Sequence, residues 1–135
     1  MNLEEAIEFI GRHHRGVLAT TRGDGLPQLS PVIAVPDGNG RIVVSSRETA
    51  YKTKNLLRIP FASLCVIEDK WFGQWIQVEG DVEVLHLPDA MEPLIDYYRR
   101  GVGETNWEEY REGMVKERRV LLRMTVVRAG PNVSG

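Results

Sequence analysis

Residues 41–58, RIVVSSRETAYKTKNLLR, decide how the chain is read. The β-branched residues Ile42, Val43 and Val44 mark a strand, which breaks at Ser45, Ser46 and Arg47. From about Ala50 to Leu57 the pattern predicts a short helix, stopped by Pro60. Leu56 and Leu57, four and five positions after Lys52, supply its apolar positions. The stretch holds five basic residues (Arg41, Arg47, Lys52, Lys54, Arg58) against the single acid Glu48. It carries +4 while the rest of the chain carries −6, within a net charge of −2. A strand-to-helix junction of that charge is a candidate anion site. Hydroxyls, free N–H groups at a helix start and ammonium groups are what a phosphate requires. A short surface helix with solvated lysines gives the same pattern, and this stretch alone leaves both readings open.

On either side of this stretch, further strands are expected at 16–22, 27–36, 61–68, 71–86 and 119–127. Gly23-Asp24-Gly25 and residues 37–40 form turns, and Pro31 interrupts the strand 27–36 at an edge or a bulge. In 71–86, Ile76 and Val78 alternate with Gln77 and Glu79, and Gly80 marks a bulge or sharp bend. A helix over 3–13 places Leu3, Ile7 and Ile10 on one face, with Asn2 as its cap and Glu5 three positions on. Two more helices are expected near 89–100, with Met91, Leu94, Ile95 and Tyr98 inward, and near 106–117, capped by Thr105 with Glu108. The tail 129–135 is expected to fray. The fold class is therefore mainly β: a six-stranded antiparallel barrel with helices packed outside, one domain over 1–135. Side chains fill so small a barrel, so a large ligand must bind outside it, and a groove between the two subunits of a homodimer suits that need.

Composition removes several function classes. A net charge of −2 on 135 residues argues against general nucleic-acid binding. There is no apolar run of membrane-spanning length and no signal-peptide order at the N-terminus, so a soluble, cytoplasmic protein is expected. Cys65 is the only cysteine and sits in the apolar run ASLCVI, which reads as a buried thiol. The adjacent His13 and His14 have no third ligand at metal spacing, so no metal is expected. Nucleophile elbows, Walker and Rossmann glycine patterns and a distinct carboxylate pair are all missing. No side chain is thus assigned a catalytic role, which fits a cofactor enzyme and a non-enzyme equally.

The run GVLATTRGDGLPQLSPV (16–32), the strand end VVSS (43–46) and AYKTKNLLRIPFASLCV (50–66) together resemble the pyridoxamine 5′-phosphate oxidase-like split-barrel superfamily. WIQVEGDVEV (75–84) and YREGMVKERRVLLRMTVVRA (110–129) resemble its deazaflavin-dependent reductase branch. The likeness runs from about Ile7 to Ala129. It implies a split β-barrel holding coenzyme F420, or alternatively FMN, in the groove of a homodimer. Lys52 matches the family's phosphate-binding lysine, with Ser45, Ser46, Lys54 and Asn55 as polar neighbours. Gln28, Ser30 and Pro31 are candidates for flavin-ring contacts, joined by Trp75 and Gln77 of the partner's fifth strand. Trp75 reads equally as a core aromatic, and Val32, Ile33 and Val44 belong either on the ring or in the core. The Arg-Leu-Xaa-Pro ending of true pyridoxamine phosphate oxidases is replaced by RMTVVRAGPNVSG, which removes support for the vitamin substrate. The resemblance implies hydride transfer from reduced deazaflavin to an electron-poor small molecule such as an enone, quinone or tetrapyrrole. An FMN-dependent oxidase or reductase and a non-catalytic flavin-binding or sequestering protein are the alternatives.

Overall fold

A computed structural model describes residues 2–70 and 72–131. In chain order the elements are α1 (Leu3–Arg12), β1 (Arg15–Thr21), β2 (Pro27–Ile33), β3 (Val35–Pro36), β4 (Arg41–Arg47), α2 (Tyr51–Arg58), β5 (Phe61–Ile67) and β6 (Trp75–Leu85). The chain continues with α3 (Met91–Gly101), α4 (Trp107–Lys116) and β7 (Arg119–Ala129). The strands form one antiparallel sheet in the order β2-β1-β5-β6-β7-β4-β3.

The two outermost strands of that order, β2 and β3, are consecutive in the chain, so the sheet curls until one segment joins both edges. The break falls at Ala34, which is fully buried and donates its N–H to the His14 carbonyl at 2.8 Å. Pro31 does not interrupt the strand, since it pairs in register with Val17, but it does lie on an edge strand as expected. Among the described residues β2 has a strand partner on one side only, where a residue without an N–H is tolerated.

Alternation along the strands separates two cores. Leu18, Ile42, Val44, Leu64, Val78 and Leu122 point into the barrel, where Phe9 and Ile10 of α1 and Leu56 of α2 complete the packing. Val35, Val43 and Leu121 point outward and are covered by Leu94 and Tyr97 of α3 and Met114 of α4. β4 and β7 are thus covered on both faces over much of their length. The interior retains only a small void of about 10 Å³ among Leu18, Ile42, Val44 and Met124.

Gly80 does mark a bulge: the β6–β7 register shifts between Glu79 and Gly80, so that Val127 has no opposite residue in this ladder. The Asn2 cap forms, with its Oδ1 accepting from the Glu5 N–H at 2.8 Å. The second capping expectation is off by one residue, since Asn106 caps α4 and accepts from Glu109. Asn and Thr stand side by side there, each with a Glu three positions on, and the better cap is used. Tyr97, rather than Tyr98, is the buried tyrosine of α3, while Tyr98 packs at the helix pair against Tyr110 at 4.9 Å. The tail does not fray as far as Pro131, because Gly130 donates to the Gln77 carbonyl and Gln77 donates to that of Pro131. Trp71 and residues 132–135 lie outside the described residues.

Candidate functional site

α2 lies over the barrel end where Thr20 and Ser46 sit. Three of its side chains anchor it there. Asn55 donates to the Thr20 hydroxyl at 3.1 Å and accepts from Arg58, and Thr53 bonds the Ser46 hydroxyl and the Arg47 carbonyl, each at 2.7 Å. Leu56 is buried in the core below. Asn55 and Ser46, both singled out from sequence, are consequently engaged in fixing the helix, and Ser46 is fully buried.

Lys52 and Lys54 leave α2 about 200° apart, on opposite flanks. On the Lys52 flank, β4 and β7 end with Arg47 directly opposite Arg119 in the ladder. Like charges opposed in this way repel. Burial, and then the charges of Arg119 and Arg47, push the Lys52 ammonium below the ordinary lysine value. Among the described residues Lys52 has no hydrogen-bond or ion-pair partner. Glu117 Oε1 bridges the two guanidiniums, 2.9 Å from Arg119 Nη2 and 3.5 Å from Arg47 Nη2. The hydrogen bond from Arg119, with the charges of both arginines, holds the Glu117 carboxyl below its ordinary value. The Arg119 Nε remains buried with no partner among the described residues. Ser45 sits two residues before Arg47 on the same face of β4, half-buried. Ala50, the α2 cap, brings no side chain to the first-turn N–H groups. Three cations, an orphaned donor and uncapped amides form a donor set that fits a phosphate group.

The Lys54 flank is a separate cleft of about 460 Å³ lined by Arg22, Gln28, Tyr51, Lys54 and Arg58. Arg22 pairs there with Asp24, and Arg58 donates to the Thr21 carbonyl.

The remaining residues expected at the site fall on two sheet faces. Ser30 and Val32 pair with Leu18 and Gly16 and share their barrel-facing side. Pro31, Val17, Cys65 and Gln77 form one row across the outer face of β2, β1, β5 and β6. Trp75, one row along, lines a pocket of about 360 Å³ with Arg15, Ile67 and Phe72. That outer face exposes Val17, Leu29 and Ile33, at 36%, 61% and 46%. Val44 lies inside the barrel beside the small void.

Sequence reading missed Arg119 and Glu117. Their signal, Glu117-Arg118-Arg119 at the start of the last strand, acquires meaning only once the register sets Arg119 against Arg47. Among the described residues no cluster of His, Cys, Asp and Glu could hold a metal, and no helix is long and apolar enough to cross a membrane.

A family model described as pyridoxamine 5′-phosphate oxidase matches residues 3–131. Among solved structures, a conserved hypothetical protein of Mycobacterium tuberculosis superposes with a TM-score of 0.76 at 25% identity, covering 96% of this chain and 82% of its own. An F420 reductase superposes with a TM-score of 0.70 at 23% identity, covering 91% and 94%. A pyridoxamine 5′-phosphate oxidase-related, FMN-binding protein of Nostoc punctiforme gives 0.67 at 13% identity, covering 96% and 82%. The last two identities speak for the fold alone.

Proposed function

This chain belongs to the pyridoxamine 5′-phosphate oxidase family, and we propose that it is a flavin-type oxidoreductase using coenzyme F420. The cation cluster of Lys52, Arg47 and Arg119 at the α2 junction carries this reading. The cluster would hold the cofactor phosphate, with Ser45 beside it. Bound there, a reduced deazaflavin supplies a hydride for an electron-poor small molecule. The Lys54 cleft, separate from the phosphate seat, would take the anionic tail that distinguishes this coenzyme from FMN, and the Lys54 ammonium has no partner among the described residues. The protein's part is to bind, orient and exclude water.

Titration with each cofactor tests the choice between them. Deazaflavin is expected to bind more tightly than FMN, and the preference should shrink as salt rises, since exposed charges are screened over roughly 10 Å at 0.1 M. Lys54→Glu should weaken deazaflavin binding more than FMN binding. A preference for FMN, or a ratio indifferent to salt, replaces this reading with an FMN-dependent oxidase or reductase, for which the Lys52 seat alone suffices. Binding without turnover of any electron-poor acceptor leaves a flavin carrier.

The protein is proposed to act as a homodimer. A void of about 10 Å³ cannot admit a flavin, and the outer face bearing Val17, Leu29, Pro31 and Ile33 offers apolar area to a second copy. Light scattering should report twice the chain mass of 15.3 kDa with or without cofactor. A monomer that still binds cofactor tightly refutes the shared groove.

A further inference from the structure

We propose that Arg119 is a third anion-binding cation of the Lys52 seat, and that the Glu117 carboxylate occupies this seat as an internal stand-in for a phosphate oxygen, withdrawing when a phosphate group binds. The inference rests on the seat taking a phosphate-bearing ligand.

The geometry supports both halves. Arg47 and Arg119 are direct ladder partners, and one oxygen of Glu117 reaches both. Glu117 is the carboxylate paired with these cations, while Glu48, which lines a pocket with Arg118 and Arg119, lies 4.0 Å from His86; the buried Arg119 Nε has no acceptor among the described residues. A single carboxylate oxygen does not satisfy that donor set. A phosphate brings three oxygens and more charge, and so answers it better.

Position also argues against Glu117 serving α4. It is the C-terminal cap of that helix, where the dipole disfavours a negative charge. Its side chain is 36% exposed, so it can swing into solvent without disturbing either core. Beyond it, Arg118 takes a left-handed backbone with φ of 51° and turns the chain into β7, delivering Arg119 opposite Arg47. Glu117 thus sits on a turn beside the seat rather than in a packed layer. A carboxylate there keeps the two opposed arginines from repelling while no ligand is bound.

The test compares FMN with riboflavin, which differ only by the phosphate, in wild type, Glu117→Gln and Arg119→Met. Glu117→Gln keeps the shape and removes the competing charge. It should raise FMN affinity about threefold to tenfold and leave riboflavin unchanged. Arg119→Met should lower FMN affinity about tenfold, again without touching riboflavin. An FMN affinity that is unchanged or weaker in Glu117→Gln, with folding intact by circular dichroism, overturns the stand-in. An unchanged affinity in Arg119→Met overturns the third cation. If wild type binds neither FMN nor the deazaflavin coenzyme, the cofactor reading fails, and inorganic pyrophosphate becomes the probe. A pyrophosphate-induced rise in melting temperature, larger in Glu117→Gln than in wild type, upholds the seat. No rise in any variant refutes it.

Discussion

Lys52→Ala is expected to lower the affinity for FMN and for the deazaflavin coenzyme by about tenfold to a hundredfold while leaving the fold intact. Hydrogen bonds to a charged group contribute roughly 1.5–3 kcal/mol each, which sets that range. The fold survives because Lys52 belongs to neither core cluster and has no partner among the described residues. Riboflavin affinity should hardly change, which separates a lost phosphate contact from a damaged site. The lysine also predicts a pH dependence. Burial and the two neighbouring guanidiniums push its pKa down, so in the free protein the ammonium is lost at lower pH than an ordinary lysine. A bound phosphate favours the protonated form. Affinity is therefore full below the free-state pKa and falls as pH rises through it. Lys52→Arg, which stays charged throughout this range, should bind without that alkaline decline. Titrations of the three proteins between neutral and alkaline pH measure all of this, and an unchanged affinity in Lys52→Ala sinks the phosphate seat.

Much of this candidate site is legible in the sequence alone. The charge of residues 41–58 and the strand-to-helix break locate the Lys52 junction. The helical period already places Lys52 and Lys54 on different flanks, so gathering both around one phosphate overlooks information that the sequence holds. The local capping rule finds Asn2 because no rival stands beside it; at Thr105 and Asn106 two capping residues compete, and the neighbour is used. What stays hidden is long-range. Arg119 lies 72 positions from Arg47, and only the β4–β7 register makes them partners. The division of 27–36 at Ala34 is hidden for a similar reason. Nothing in PQLSPVIAVP says which residue must leave one strand partner for another, because the closure of the whole sheet decides it. Pro31 carries the stronger local signal, but an edge strand tolerates it.

Gly80→Ala is expected to destabilise the protein by about 3 kcal/mol or more, a large loss for a core change of a single methyl group. A Cβ on Gly80 would collide with the Thr125 carbonyl oxygen and lie 2.8 Å from its carbon and 3.0 Å from the Val126 Cα. All three are backbone atoms, so no rotamer change relieves the clash. The β6–β7 pair must separate at the bulge instead, between strands whose Val78, Val82, Met124 and Val126 fill the barrel. Relief by sliding the register is closed too, because a shift of one residue turns those side chains outward. Gly25→Ala is the informative control. Gly25 has φ of 85° and no atom within 4 Å of the place a methyl group would take, so it carries only the left-handed backbone penalty of roughly 1–2 kcal/mol. Urea unfolding of the two variants should therefore show a clear drop in midpoint for Gly80→Ala and a smaller one for Gly25→Ala. β7 also delivers Arg119 to the seat, so a displaced β7 should weaken FMN binding in Gly80→Ala and not in Gly25→Ala. Equal midpoints for the two variants would mean that the close approach at Gly80 is not what positions these strands.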